Sequence, residues 1–316
     1  MDSEPSQSAY ADSSPRGGAK DAAPLLGLYI QYESRYNIRN GLVPGVFAAP
    51  NCAGTGGSMA KTIAVTNQKG GVGKTTTAVN LAAILAYLGM RVLAVDLDPQ
   101  GNTTSGYGLD AGENCIYEAI MSRAQLRDCM QKTCVEGLSL VGADIRLAGA
   151  ELELVSVEQR EFCLKRTLKA VQNDFDFIVI DCPPSLSLLT INALAAADSV
   201  LIPIQCEYYA LEGVTSLMNT VNRIKHTVNP HLEIEGILLT MLDGRTNLGL
   251  QVVAEVKKHF KKQVFATTIP RNVRLGEAPS HGVPIHLYDS RSAGAEAYRA
   301  LGIEVLARNG KKIKRK

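Results

Sequence analysis

The chain has 316 residues and no tryptophan, and aromatic residues make up only 5% of it. Its core must therefore be built from aliphatic side chains, which a 46% hydrophobic content supplies. No apolar run reaches the roughly 18 residues that cross a bilayer, so a helical membrane span is not expected and a cytoplasmic location is. The seven cysteines (Cys52, Cys115, Cys129, Cys134, Cys163, Cys182, Cys206) contain no C-x-x-C pair and have no histidine at zinc spacing. That argues against a zinc site or disulfide framework and leaves the thiols as small buried hydrophobes in a reducing compartment. A strong excess of one charge is also missing, since 33 basic residues face 31 acidic ones for a net +2. The molecule as a whole is no polycation, so nucleic-acid binding would have to come from a local patch.

What is present is a change of texture near residue 59. Residues 1–58, beginning MDSEPSQSAYADSSPRGGAKDAAP, are rich in Ser, Ala, Pro, Asp and Gly and read as a disordered tail. The tail lacks the pattern of a secretory signal, is not arginine-rich like a transit peptide, and could be absent from the mature protein. Residues 59–309 read as one α/β domain and residues 310–316 as a basic tail. Within the domain, TIAVTN, RVLAVDLD, LSLVGA, FDFIVIDCPP, DSVLIPIQ and IEGILLTML are apolar strands. Between them lie helical patterns, one running from Thr76 to a stop at Gly89 and others around 157–172, 186–196, 213–228 and 249–260. Strands that are apolar throughout and alternate with helices predict a doubly wound, mostly parallel sheet with helices on both faces and its ligand at the strands' carboxyl ends.

The first strand runs into NQKGGVGKTTT, residues 67–77. Its second half, Gly73-Lys74-Thr75, closes a phosphate-binding loop of the type G-x-x-x-x-G-K-[ST], but Gln68 stands where the opening glycine belongs and a second lysine, Lys69, follows. Glycines here let main-chain N–H groups converge on phosphate oxygens while the following helix points its positive end at the same anion. Lys69, Gly70, Gly71, Val72, Gly73, Lys74, Thr75 and Thr76 form the candidate nucleotide-binding set. Lys74 should meet the β- and γ-phosphates of a bound nucleotide, and the Thr75 hydroxyl should coordinate Mg²⁺. Asp181, ending the strand of FIVIDCPP, should join the magnesium shell through water. VLAVDLDPQGN offers two further acids. Asp98, beyond its strand, is favoured over Asp96 for orienting the attacking water.

Together KGGVGKTTTAVNLA, VDLDPQGNTTSG, IDCPPSL, CEYYALEG, TMLDGRTNLG and IPRNVRLGEAPSHG resemble, in order and over about residues 61–307, the ParA/Soj family of partitioning ATPases. The tail of residues 1–58 inherits nothing from that resemblance. The resemblance implies a deviant Walker A loop whose first lysine, Lys69, reaches across an ATP-dependent homodimer to the partner's phosphates. It also implies hydrolysis stimulated by a ParB-type centromere-binding protein, association with the nucleoid, and a place for Asn272 beside the adenine.

From residue 245 to 274 the sequence has seven basic residues (Arg245, Lys257, Lys258, Lys261, Lys262, Arg271, Arg274) against one acid, Glu255. Such a cluster suits sequence-independent binding of double-stranded DNA. The resemblance assigns that role to Arg245 and Arg274, whereas the lysines could equally be the wet face of a helix. Two other functions are weighed. A membrane-bound relative of the MinD type needs a C-terminal amphipathic helix with bulky anchors, and EAYRALGIEVLARNGKKIKRK offers aliphatic residues suited to core packing. An iron–sulfur reductase of the same loop class needs paired cysteines at a dimer axis, where Cys182 alone is available. No membrane partner is expected.

Overall fold

The computed structural model describes residues 59–207 and 210–314. The expectations for residues 1–58 lie outside the described residues. Eight strands form one sheet: β1 Lys61–Val65, β2 Val92–Asp96, β3 Met130–Lys132, β4 Leu138–Val141, β5 Phe177–Asp181, β6 Ser199–Gln205, β7 Glu233–Leu242 and β8 Val264–Pro270. The order is β3-β4-β2-β5-β1-β6-β7-β8. Every neighbouring pair is parallel except β3 with β4. The α-helices are α1 Lys74–Tyr87, α2 Asn102–Gly106, α3 Ile116–Ile120, α4 Leu147–Glu153, α5 Cys163–Lys169, α6 Leu188–Ala196, α7 Ala210–Thr227, α8 Asn247–Phe260, α9 Val273–Glu277, α10 Ile285–Tyr288 and α11 Ala293–Arg308.

Alternation along the strands divides the core in two. Ile63, Val65, Val92, Phe177 and Val179 pack with Leu81 and Ile84 of α1 and Tyr298 and Leu301 of α11. Leu93, Val95, Ile178, Ile180, Val200 and Ile202 pack on the other face with Leu164 of α5, Leu194 of α6, Leu217 of α7 and Val256 of α8. This is the expected doubly wound sheet. β1 sits at its centre, where the chain goes to β2 on one side and to β6 on the other, and such switch points open a crevice for ligands.

The six expected strands are present, and two more appear at the edges. β3 has three residues and β8 reads VFATTIP, so neither carries the continuous apolar run of a central strand. The helix expected around 157–172 is reduced to α5, preceded by the short 3₁₀ turn Arg160–Phe162. α1 ends at Tyr87, and Gly89 follows with φ +89°, as a helix stop requires. A Cβ on Gly89 would also lie 2.6 Å from the carbonyl oxygen of Lys314. The basic tail docks there: Lys314 N donates to Leu88 O, and its Nζ donates to Asp176 Oδ2 at 3.0 Å. Five of the six described cysteines are buried as expected, and Cys134 is exposed.

Candidate functional site

The loop of residues 66–73 leaves the carboxyl end of β1 and enters α1 with Gly71 at φ +73° and Gly73 at φ +86°, a backbone path that a side chain would strain. It is fastened from three sides. Asn67 Nδ2 donates to Pro203 O at 2.8 Å, Lys69 N donates to Asn67 Oδ1 at 3.0 Å, and Thr240 Oγ1 donates to Val72 O at 2.9 Å. The open space is in front of Gly70 and Gly71, where an added Cβ would meet nothing within 4 Å. Main-chain N–H groups held in this way need no reorganisation to receive an anion.

The two lysines part company. Lys74 is 6% exposed and its Nζ donates back to Lys69 O at 3.2 Å, so its charge hangs over its own loop. Burial lowers the Lys74 pKa, and the nearby Asp181 and Asp98 oppose that shift. Lys69 points outward, with its Nζ 3.2 Å from Glu207 Oε2 and both side chains about half exposed.

Three acids stand beside the loop. Asp96 and Asp181 end β2 and β5 and are partners in register. Both are fully buried, and burial raises both pKa values; their mutual repulsion adds to the rise at Asp181, where the Thr75 and Thr103 hydroxyls work in the opposite direction. Asp96 is committed to structure: Oδ2 accepts from Thr104 N at 2.8 Å and Thr104 Oγ1 at 2.7 Å, and Oδ1 accepts from Asp98 N at 3.2 Å. Asp98 is 8% exposed in the loop beyond β2, with Oδ1 accepting from Gln100 N. The hydrogen bonds given to Asp96 are thus more numerous than the one given to Asp98. Asp181 accepts from Thr103 Oγ1 at 2.8 Å through Oδ2, whereas its buried Oδ1 has no hydrogen-bond partner. An orphaned carboxylate oxygen beside a phosphate loop and a threonine hydroxyl suits the outer shell of a hard cation that is otherwise held by phosphate and water. Among the described residues there is no cluster of three or more His, Cys, Asp or Glu able to cage a metal by itself. Thr103 and Thr104 lie within VDLDPQGNTTSG, where nothing in the spacing marks them as partners of Asp181 and Asp96.

The remaining expected residues lie on the same carboxyl edge of the sheet. Asn272 follows β8 and caps α9, its Oδ1 accepting from Arg274 N at 2.9 Å. Arg245 follows β7 and grips Asp243 with two hydrogen bonds of 2.9 Å. Arg274 pairs with Glu277 at 2.8 Å and Asp289 at 3.5 Å. The basic cluster read from the sequence is divided in space. Lys257 and Lys258 sit in the last turn of α8, with Lys261 and Lys262 just after it, and α8 runs back along the sheet for about 20 Å from the edge that bears Arg245. The structure does not bring these lysines to Arg245 and Arg274.

A family model described as an AAA domain matches residues 60–234. The chain is 61% identical over 251 residues to the sporulation initiation inhibitor protein Soj of Bacillus subtilis, covering 79% of this chain and 99% of Soj. It is 53% identical to the chromosome partitioning protein ParA of Myxococcus xanthus, covering 82% of this chain and 92% of that protein. Among solved structures, cobyrinic acid a,c-diamide synthase of Mycobacterium smegmatis with bound ADP and magnesium superposes with a TM-score of 0.69 at 38% identity, covering 81% of this chain and 98% of that one. The central P-loop sheet, the two-lysine loop and likeness along nearly the whole length of Soj place the chain in one group: it belongs to the ParA/Soj family of chromosome-partitioning ATPases.

Proposed function

We propose that this ATPase is an ATP-gated homodimer that binds double-stranded DNA without sequence preference, associates with the nucleoid, and releases DNA on hydrolysis when a ParB-type protein stimulates it. The observation that supports this reading most is the divergence of the two lysines. Lys74 serves its own loop, while Lys69 is placed on the surface against Glu207. A pair this exposed is worth about 1 kcal/mol or less, so Lys69 can leave Glu207 at little cost when a partner's phosphates become available.

In this reading the N–H groups of residues 70–75 and the Lys74 ammonium hold the β- and γ-phosphates. The Thr75 hydroxyl, and Asp181 through water, would hold Mg²⁺. Bound there, magnesium would supply neutralising charge to the phosphoryl oxygens. Asp98 orients the attacking water, and Lys69 from the partner adds positive charge that only the dimer provides. β8 is three strands from β1, roughly 14 Å away, so Asn272 meets the adenine when the nucleotide lies along the sheet's carboxyl edge. The buried Tyr298, Leu301, Val305 and Leu306 tie α11 to the core, which speaks against a MinD-like use of that helix as a membrane anchor.

Arg245 and Arg274 would contact DNA phosphates, exchanging Asp243, Glu277 and Asp289 for the backbone. Because those acids offset them in one subunit, high affinity should need two subunits on one duplex. The test is DNA binding with ATP, ADP and no nucleotide. Binding should require ATP, fall steeply with salt and ignore base sequence. Arg245→Glu or Arg274→Glu should abolish it while ATP-dependent dimerisation persists. Charge-reversed dimers that bind DNA as well as the unaltered protein would refute the placement of the surface.

A further inference from the structure

Thr103 and Thr104 are adjacent on α2, and each serves a different buried acid. Thr104 donates through both N and Oγ1 to Asp96, and its Oγ1 also accepts from Ala143 N at 2.9 Å. Thr103, 1% exposed, spends the single proton of its hydroxyl on Asp181 Oδ2. The two acids face each other across neighbouring strands, so without these donors two buried carboxylates would be left side by side and under-satisfied. Thr103 thus holds Oδ2 of Asp181, while the buried Oδ1 has no hydrogen-bond partner and the Thr75 hydroxyl also acts on the carboxylate. The segment that brings Thr103 to this position leaves β2 through Asp98 and turns at Gly101, where a Cβ would lie 2.7 Å from Ala143 O.

We propose that Thr103 is a positioning residue for the cation end of the nucleotide site, holding Asp181 so that Oδ1 is left free for the water shell of the divalent ion. The proposal rests on the nucleotide site described above. It adds that cation affinity depends on a side chain that touches neither nucleotide nor cation, and that one segment carries both the water-orienting acid and the residue that aligns the cation's acid. Partners of this outer kind typically govern metal affinity by roughly 10- to 100-fold.

The test is Mn²⁺ binding, followed by electron paramagnetic resonance, in full-length protein loaded with a non-hydrolysable ATP analogue. Thr103→Val keeps the shape and removes the donor, and Thr103→Ser keeps the donor. Val should weaken Mn²⁺ binding by roughly tenfold or more, Ser should restore it to within a few-fold, and cation-free affinity for the analogue should be equal in all three. If the valine variant does not fold, Thr103→Ala removes the same donor and carries the same prediction. Unchanged Mn²⁺ affinity in the Val or Ala variant, or a Ser variant as weak as Val, would overturn the role of Thr103. Absence of nucleotide-linked Mn²⁺ binding in the unaltered protein would overturn both this role and the reading of the site beneath it.

Discussion

Lys69 and Lys74 are five residues apart, yet one is exposed beside Glu207 and the other is buried over its own loop. The candidate phosphate role of the second lysine was legible from Gly73-Lys74-Thr75, because the motif itself encodes a loop that turns Lys74 back over its own main chain. The surface placement of the first was not legible, since its partner Glu207 follows a different strand. The same limit applies to the acids. The order Asp96, then Asp98, says which is deeper but not that Asp96 is saturated by Thr104, because that contact depends on how α2 folds back. Basic residues were easier to count than to place, for Asp243, Glu277 and the more distant Asp289 lie outside the counted window and pair with Arg245 and Arg274. Asp98→Ala should therefore bind ATP and dimerise normally while turnover falls by roughly a hundred- to ten-thousand-fold, the usual worth of a positioned base. Single-turnover hydrolysis would check it, and native-rate hydrolysis would remove Asp98 from the mechanism.

Secondary-structure elements were legible where burial dictated their pattern. The strands β1, β2, β5 and β6, apolar over nearly their full length, could be neither helices nor surface loops. The edge strands escaped because one side of an edge needs no partner and tolerates mixed residues. The end of the chain shows another limit, since KKIKRK read alone is either added basic charge or a solvated end, whereas Lys314 is held against Leu88 and Asp176. Burial alone would raise the Asp176 carboxyl, but hydrogen bonds from the Arg91 main chain and guanidinium and from the Lys314 ammonium overcome it and hold the pKa at about 2. A depressed carboxylate contributes stability that is present above its unfolded pKa near 4 and lost as pH falls through the folded value. That contribution is no more than about 2 kcal/mol, with the Lys314 share reduced by solvent. Chemical denaturation of the unaltered protein should show this loss between about pH 4 and 2, and Asp176→Asn should be less stable at neutral pH with a flatter acid limb. An identical pH dependence in the two proteins would mean that the Asp176 carboxylate's contacts with Arg91 and Lys314 contribute nothing.

Across the whole molecule, β1, β2, β5, β7 and β8 each deliver part of the proposed chemistry to one edge of the sheet: the phosphate loop, Asp98, Asp181, Arg245 and Asn272 with Arg274. A single subunit therefore presents the candidate nucleotide and DNA contacts on a common side, with Lys69 there as an exposed cation paired to Glu207. If dimerisation is what ATP controls, Lys69 is the residue that converts nucleotide binding into assembly. The most direct measurement is sedimentation velocity of the unaltered protein and Lys69→Ala at saturating ATP and Mg²⁺, with ATP binding measured on the same samples. The account predicts a dimer for the unaltered protein and an ATP-bound monomer for Lys69→Ala; an ATP-dependent dimer of equal stability in the variant would contradict it.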